Sequence, residues 1–149
     1  MGIECNITSE LTSILEKAAE FHGHLGPFLA IGVRMGLIGL DRVSMAMGDS
    51  LEVTASLPLR VPFSCIIDGL QVSTNCTVGN QKLSLKDCPS IQATFERKEN
   101  GQKIVVALNQ SVFEKLKSQL LQETLPDEEI RKLAWKVAAI PEDELFVVT

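Results

Sequence analysis

The sequence predicts an α+β protein built around one mixed or antiparallel sheet. Three observations carry this. Apolar residues recur at helical spacing near both ends of the chain. Short segments in the middle alternate apolar and polar residues as half-buried strands do. Asn100-Gly101, between two such segments, is a strong hairpin signal.

The first helix is expected over residues 8–21, capped by Thr8 or Ser9, with Leu11, Ile14, Leu15, Ala18 and Ala19 on one stripe. Gly23 ends it. Pro27 suits the first position of a second helix, which runs to about Leu40 and is apolar nearly all round, so it should be buried. Within it Gly32 and Gly36 form a small-residue pair suited to close packing against another element. Residues 51–57 read as a strand. Pro62 opens a third helix over about Phe63 to Ser73, and residues 74–80 read as a loop.

Strands are expected at 82–86, 91–98 and 103–109, then an amphipathic helix at 111–122. Thr124 to Asp127 reads as a capping box for a fifth helix that buries Ile130, Leu133, Ala134, Val137 and Ala138. Trp135 either borders the core beside that stripe or packs at a subunit interface. Pro141 stops the helix, and Leu145 to Val148 forms the last strand. The order α α β α β β β α α β is that of an α+β domain.

The 149 residues are most simply one domain, large enough to bury roughly 70% of the surface of the unfolded chain. Hydrophobic residues make up 45% and charged residues 22%, as in a soluble globular protein. The net charge of -5 and pI near 5.0, with no basic stripe, argue against nucleic acid or an anionic membrane as the main partner. Met1 to Glu10 carries no apolar core of a signal peptide, and the longest apolar run contains Arg34 and is too short for a bilayer. A cytoplasmic protein is therefore expected, with Cys5, Cys65, Cys76 and Cys88 as free thiols. They make no CxxC pair.

Both histidines lie in Phe21-His22-Gly23-His24-Leu25-Gly26-Pro27. On a continuous helix His22 and His24 would point about 200° apart. In an extended turn residues i and i+2 share a side, and Gly23 permits that turn. The neutral imidazole is a metal ligand, and the next helix N-terminus would favour the uncharged ring and attract an anion.

Cys65 falls in the first turn of the third helix, where the helix dipole is expected to lower its thiol pKa. A thiolate with two imidazoles suits zinc, or nickel or iron, with an open position. Asp68 shares a face with Cys65 and is placed to orient a histidine; Gln71 lies close to Asp68. Cys76 and Thr77 in the following loop could add a thiol and a hydroxyl to the same pocket. Cys5 and Cys88 have no supporting neighbours. There is no phosphate loop, no GxGxxG and no nucleophile elbow.

Two blocks together resemble one family. Phe21-His22-Gly23-His24-Leu25-Gly26-Pro27 followed by Gly32-Val33-Arg34, and Cys65-Ile-Ile-Asp68-Gly69-Leu70-Gln71 followed by Thr74-Asn75-Cys76-Thr77-Val78-Gly79-Asn80, look like the two signatures of the formylmethanofuran dehydrogenase E-subunit family. The resemblance covers nearly the whole chain. It implies a thioredoxin-like core, a mixed sheet of about five strands flanked by helices, and self-association as a homodimer.

It further implies a metal-binding protein of anaerobic redox or one-carbon metabolism, with His22, His24 and Cys65 around a divalent ion. By position, Asp68, Gln71, Cys76 and Thr77 would complete the family's site as ligand-binding residues, and Arg34 is expected to join them as the cation of the pocket. Subunits of a molybdenum or tungsten enzyme would be possible partners. Many relatives carry cysteine where this chain has Gly26, which weakens a dithiol-redox reading. Many also carry a Cys-rich zinc tail, so this chain is expected to be a core-only member. The alternative is an accessory module without turnover that binds a small anionic ligand or a partner enzyme near Arg34 and Thr77.

Overall fold

The computed structural model describes residues 8–43, 50–122 and 124–149. Helix α1 (Ser9–His22) is capped by Thr8, whose hydroxyl accepts from the Leu11 amide at 3.0 Å. It ends at Gly23, which takes a left-handed φ of 110° and returns its amide to Ala19. Helix α2 (Pro27–Arg42) follows at once and is the spine of the core, with only Leu37, Asp41 and Arg42 less than fully buried.

Strand β1 (Leu51–Leu57) leads into turns at residues 59–64 and then α3 (Cys65–Thr74). β2 (Leu83–Asp87), β3 (Gln92–Arg97) and β4 (Gln102–Leu108) come next, with β3 and β4 joined through Gly101 at φ 72°. The chain then forms α4 (Gln110–Gln122), α5 (Asp127–Ala139), the single turn α6 (Glu142–Leu145) and β5 (Phe146–Val148).

The five strands form one sheet in the order β2-β1-β3-β4-β5. β1 and β2 are parallel, and α3 supplies the crossover that a parallel pair needs. The other pairs are antiparallel. This is the α+β arrangement the sequence predicts, and a mixed, thioredoxin-like order of strands. The helices gather on the face that carries Val53, Ala55, Ala93, Phe95 and Val106. The other face presents Glu52, Thr54, Ser56, Gln92, Thr94 and Glu96.

Two local expectations need correcting. Thr124 does not cap α5. Pro126 is its N-cap, its carbonyl accepts from Glu129 and Ile130, and no side chain caps the end. Asp127, Glu128 and Glu129 in the first turn complement the helix dipole instead. The last strand, expected over Leu145 to Val148, starts at Phe146, because Leu145 closes the α6 turn that Pro141 caps. Trp135 is partly buried and packs on the core.

What positions the candidate site is the contact between α2 and α3. A Cβ at Gly32 would overlap the Ile66 carbonyl and lie 3.0 Å from Ile66 Cα. One at Gly69 would overlap the Leu29 carbonyl and lie 2.7 Å from the Val33 amide nitrogen. Farther along, Gly36 faces Ser73 and Thr74. The paired positions rise together, so the two helices run parallel with backbones touching. Their N-termini, at Pro27 and Cys65, therefore emerge at the same end of the molecule, where α1 also ends.

Candidate functional site

At that end lies a cleft of about 360 Å³ lined by His22, His24 and Cys65. Its walls are apolar: Pro27, Phe28 and Leu29 from α2, Val61 and Pro62 before α3, Leu120 and Leu121 from α4, and Ile130 from α5. The front of the chain and its middle thus meet in one cavity.

His22 is the most constrained of the three. Its side chain is 15% exposed, and Nδ1 lies 2.6 Å from Asp68 Oδ2. A carboxylate oxygen accepts, so Nδ1 carries a hydrogen, and a ring with its one hydrogen there presents Nε2 as a lone pair. That Nε2 is buried without a hydrogen-bond partner. Buried polar atoms in native proteins are nearly always paired, to protein, water or ligand, so this nitrogen is the polar atom of the cleft left for such a partner. Gln71 holds the other side of Asp68: its Nε2 donates to Asp68 Oδ1 at 3.2 Å, and its Oε1 accepts from the Val78 amide at 3.1 Å. Asp68 and Gln71 thus steer His22 and do not line the cleft.

His24 follows Gly23 and is exposed. Its ring centre lies 4.9 Å from that of His22, at 40° between planes. The left-handed Gly23 is what folds the second ring back beside the first. The His24 ring lies over Gly26, whose backbone is extended and where an added Cβ would sit 3.8 Å from His24 Nε2 and 3.4 Å from Ile130. The missing side chain at position 26 leaves free space beside the histidines. Among the described residues no three His, Cys, Asp or Glu side chains form a preassembled metal cage.

Cys65 is the first residue of α3 and half-buried. Its thiol is not activated as the helix-terminus argument predicts. Burial among apolar side chains pushes its pKa up, Asp68 adds to that, and the backbone amide at the helix start offsets only part. The dipole is outweighed by the dry wall and by a carboxylate one turn along the same helix.

The remaining expected residues stand elsewhere. Arg34 is 8% exposed and does not reach the cleft. Its guanidinium donates to the carbonyls of Val137 (3.1 Å) and Ile140, and so caps the end of α5. Burial lowers its pKa and Glu142 opposes this. A helix C-terminus offers a buried cation the carbonyl acceptors it needs, which accounts for an arginine inside an apolar helix. Arg34→Met is expected to cost about 2 kcal/mol, because those carbonyls lose a charged donor, while leaving ligand affinity in the cleft unchanged. Urea unfolding and a binding titration on the same variant check both halves.

Cys76 is also outside the cleft. It is fully buried, its thiol contacts the Leu51 carbonyl at 3.4 Å, and burial pushes its pKa up. Thr77 serves its own loop: its hydroxyl accepts from the Asn80 amide at 2.9 Å. Cys5 lies outside the described residues. Sequence reasoning missed the walls supplied by Val61, Leu120, Leu121 and Ile130. Two of them, Leu121 and Val61, are left 53% and 78% exposed, which only the structure shows.

Comparison with known proteins gives the class of the chain, an α+β family described by the operon of a formylmethanofuran dehydrogenase. Residues 21–147 match the family described as "FmdE, Molybdenum formylmethanofuran dehydrogenase operon", and the chain belongs to that family. It is 31% identical over 161 residues to a protein of Archaeoglobus fulgidus named "Probable S-adenosyl-L-methionine-binding protein". The match takes in 97% of this chain but 44% of that relative, so the chain spans less than half of its length. A solved "tungsten formylmethanofuran dehydrogenase subunit e (fmde)-like protein" from Syntrophus aciditrophicus shares the fold. Its TM-score is 0.60 at 19% identity, over 93% of this chain and 70% of the other. No helix among the described residues is long and apolar enough to cross a membrane.

Proposed function

We propose that this protein binds a divalent transition metal, zinc before nickel or iron, through His22 Nε2, His24 and Cys65, and serves anaerobic redox or one-carbon metabolism. The observation that carries the reading is the buried, unpartnered Nε2 of His22, aimed by the Asp68 carboxylate behind it. That is the arrangement in which an imidazole is held for a metal. The donor set of two imidazoles and one thiol fits zinc and leaves room for an exogenous ligand. When bound, such an ion supplies Lewis acidity and an acidified water.

The chain's own part is to fix one ring, to back the site with the buried Phe28 and Leu29, and to present two helix N-termini to a negatively charged group. Dimerisation and contact with a molybdenum or tungsten enzyme are proposed along with it, on the strength of family membership.

The test is competitive zinc titration with elemental analysis of the wild type, His22→Ala and Cys65→Ser. One ion per chain in the wild type, and markedly weaker binding in both variants, is expected. Equal stoichiometry and affinity in all three would remove the reading. Because the Cys65 proton is held tightly, metal must displace it. Apparent affinity is therefore expected to rise about tenfold per pH unit from about pH 7.5 to 8.5, flattening only above the raised thiol pKa.

A second reading is an accessory module that binds a small organic ligand and turns nothing over. The apolar walls and the name of the Archaeoglobus relative favour it. S-adenosylmethionine binding to metal-free protein, unaffected by His22→Ala, would select it over the first.

A further inference from the structure

Cys88 opens on a second cleft, of about 320 Å³, separate from the histidine site. Phe28 lines the first cleft, whereas Phe63 and Phe113 line the second, and the three rings pack edge to face between them. Two cations share the second cleft with the thiol. The Arg60 guanidinium sits 5.4 Å from the Phe63 ring centre and the Lys117 ammonium 5.8 Å from that of Phe113. The rings are themselves 5.4 Å apart, so each cation is seated on one of two adjoining aromatic faces. Asp87 also lines the cleft, and its Oδ1 accepts from the Leu59 amide at 3.1 Å.

We propose that Cys88 is a thiol-exchange site for a small disulfide bearing carboxylate or phosphate groups, with Arg60 and Lys117 docking the anion. Thiol–disulfide exchange needs an accessible thiolate, a fixed approach and something to hold the incoming molecule. Cys88 is partly exposed, and its amide is anchored to the Leu57 carbonyl at 3.0 Å. Its sulfur lies 3.6 Å from the Ser90 hydroxyl. Hydrogen bonds from the Ser90 amide and hydroxyl pull the thiol pKa down, against smaller opposing effects of burial and Asp87. Cys65 and Cys76 are shifted the other way, so Cys88 is the readiest nucleophile among the three described thiols.

In the step itself the Cys88 sulfur attacks one sulfur of the disulfide. The old S–S bond breaks as the new one to Cys88 forms. The other half leaves as a thiolate and takes a proton from water. A second thiol reverses the step and frees Cys88. This site owes nothing to the metal reading and stands or falls without it.

The test uses the reduced full-length chain with three probes: oxidised glutathione (carboxylates), coenzyme A disulfide (phosphates) and cystamine (cationic). Adducts are located by intact mass and peptide mapping, and rates are normalised to a free peptide carrying residues 84–92. A single adduct at Cys88 is expected, formed about tenfold faster with an anionic probe than with cystamine, a preference that shrinks as salt is raised. The faster of the two anionic probes identifies the anion. Cys88→Ser should abolish the adduct, and Arg60→Gln with Lys117→Gln should erase the preference. Adducts mainly at another cysteine, cystamine reacting as fast, or a preference that survives the double substitution would each overturn the proposal.

Discussion

Gly32→Ala is expected to destabilise the protein by about 3 kcal/mol, even though alanine is the better helix former by about 1 kcal/mol. The added methyl would meet the carbonyl, carbon and Cα of Ile66, all backbone atoms that cannot rotate away. The only relief is for α3 to move off α2. Gly36→Ala should cost less, because its first obstacle is the end of the Ser73 side chain. Urea denaturation of both variants checks the order and the size. Moving α3 also carries Cys65 away from His22 and His24, so Gly32→Ala should weaken zinc binding without touching a proposed ligand.

Asp68→Asn is expected to lower zinc affinity by about 10- to 100-fold with little change in stability. Asparagine keeps the shape of the side chain but loses the charge that holds His22 Nδ1–H. It can also present its amide nitrogen to the ring, which turns the tautomer and points hydrogen, not a lone pair, into the cleft. Isothermal titration at pH 7 reads the loss, and a melting curve on the same sample shows whether the fold is intact. Unchanged affinity would mean that Asp68 only braces the helix.

Most of the fold was legible because its signals are local. The stripe of Leu11, Leu15 and Ala18, the alternation from Leu51 to Leu57, and Asn100-Gly101 each fix one element without reference to the rest of the chain. The four-residue turn at Glu142 was not legible, since Pro141 both ends one helix and opens the next. The Thr124 cap failed for a similar reason, because Pro126 already sets the entry geometry of α5.

The site was half legible. His22, His24 and Asp68 could be related through spacing and a glycine turn. The roles of Arg34, Cys76 and Cys65 depend on distant partners: the carbonyls at the end of α5, the carbonyl of Leu51, and a wall assembled from four segments. No periodicity in the chain encodes those contacts. The pKa of Cys65 is the clearest case, since the helix start is visible in sequence and the apolar surroundings that outweigh it are not.

The central claim is that one ion is held jointly by the His22 and His24 rings and the Cys65 sulfur. Cobalt substitution tests it most directly, because a bound thiolate adds a near-ultraviolet charge-transfer band that imidazole does not. One equivalent of cobalt should develop that band in the wild type, Cys76→Ser and Cys88→Ser, and lose it in Cys65→Ser. It should bind far more weakly in His22→Ala. A band that persists in Cys65→Ser, or full binding in His22→Ala, would contradict the account.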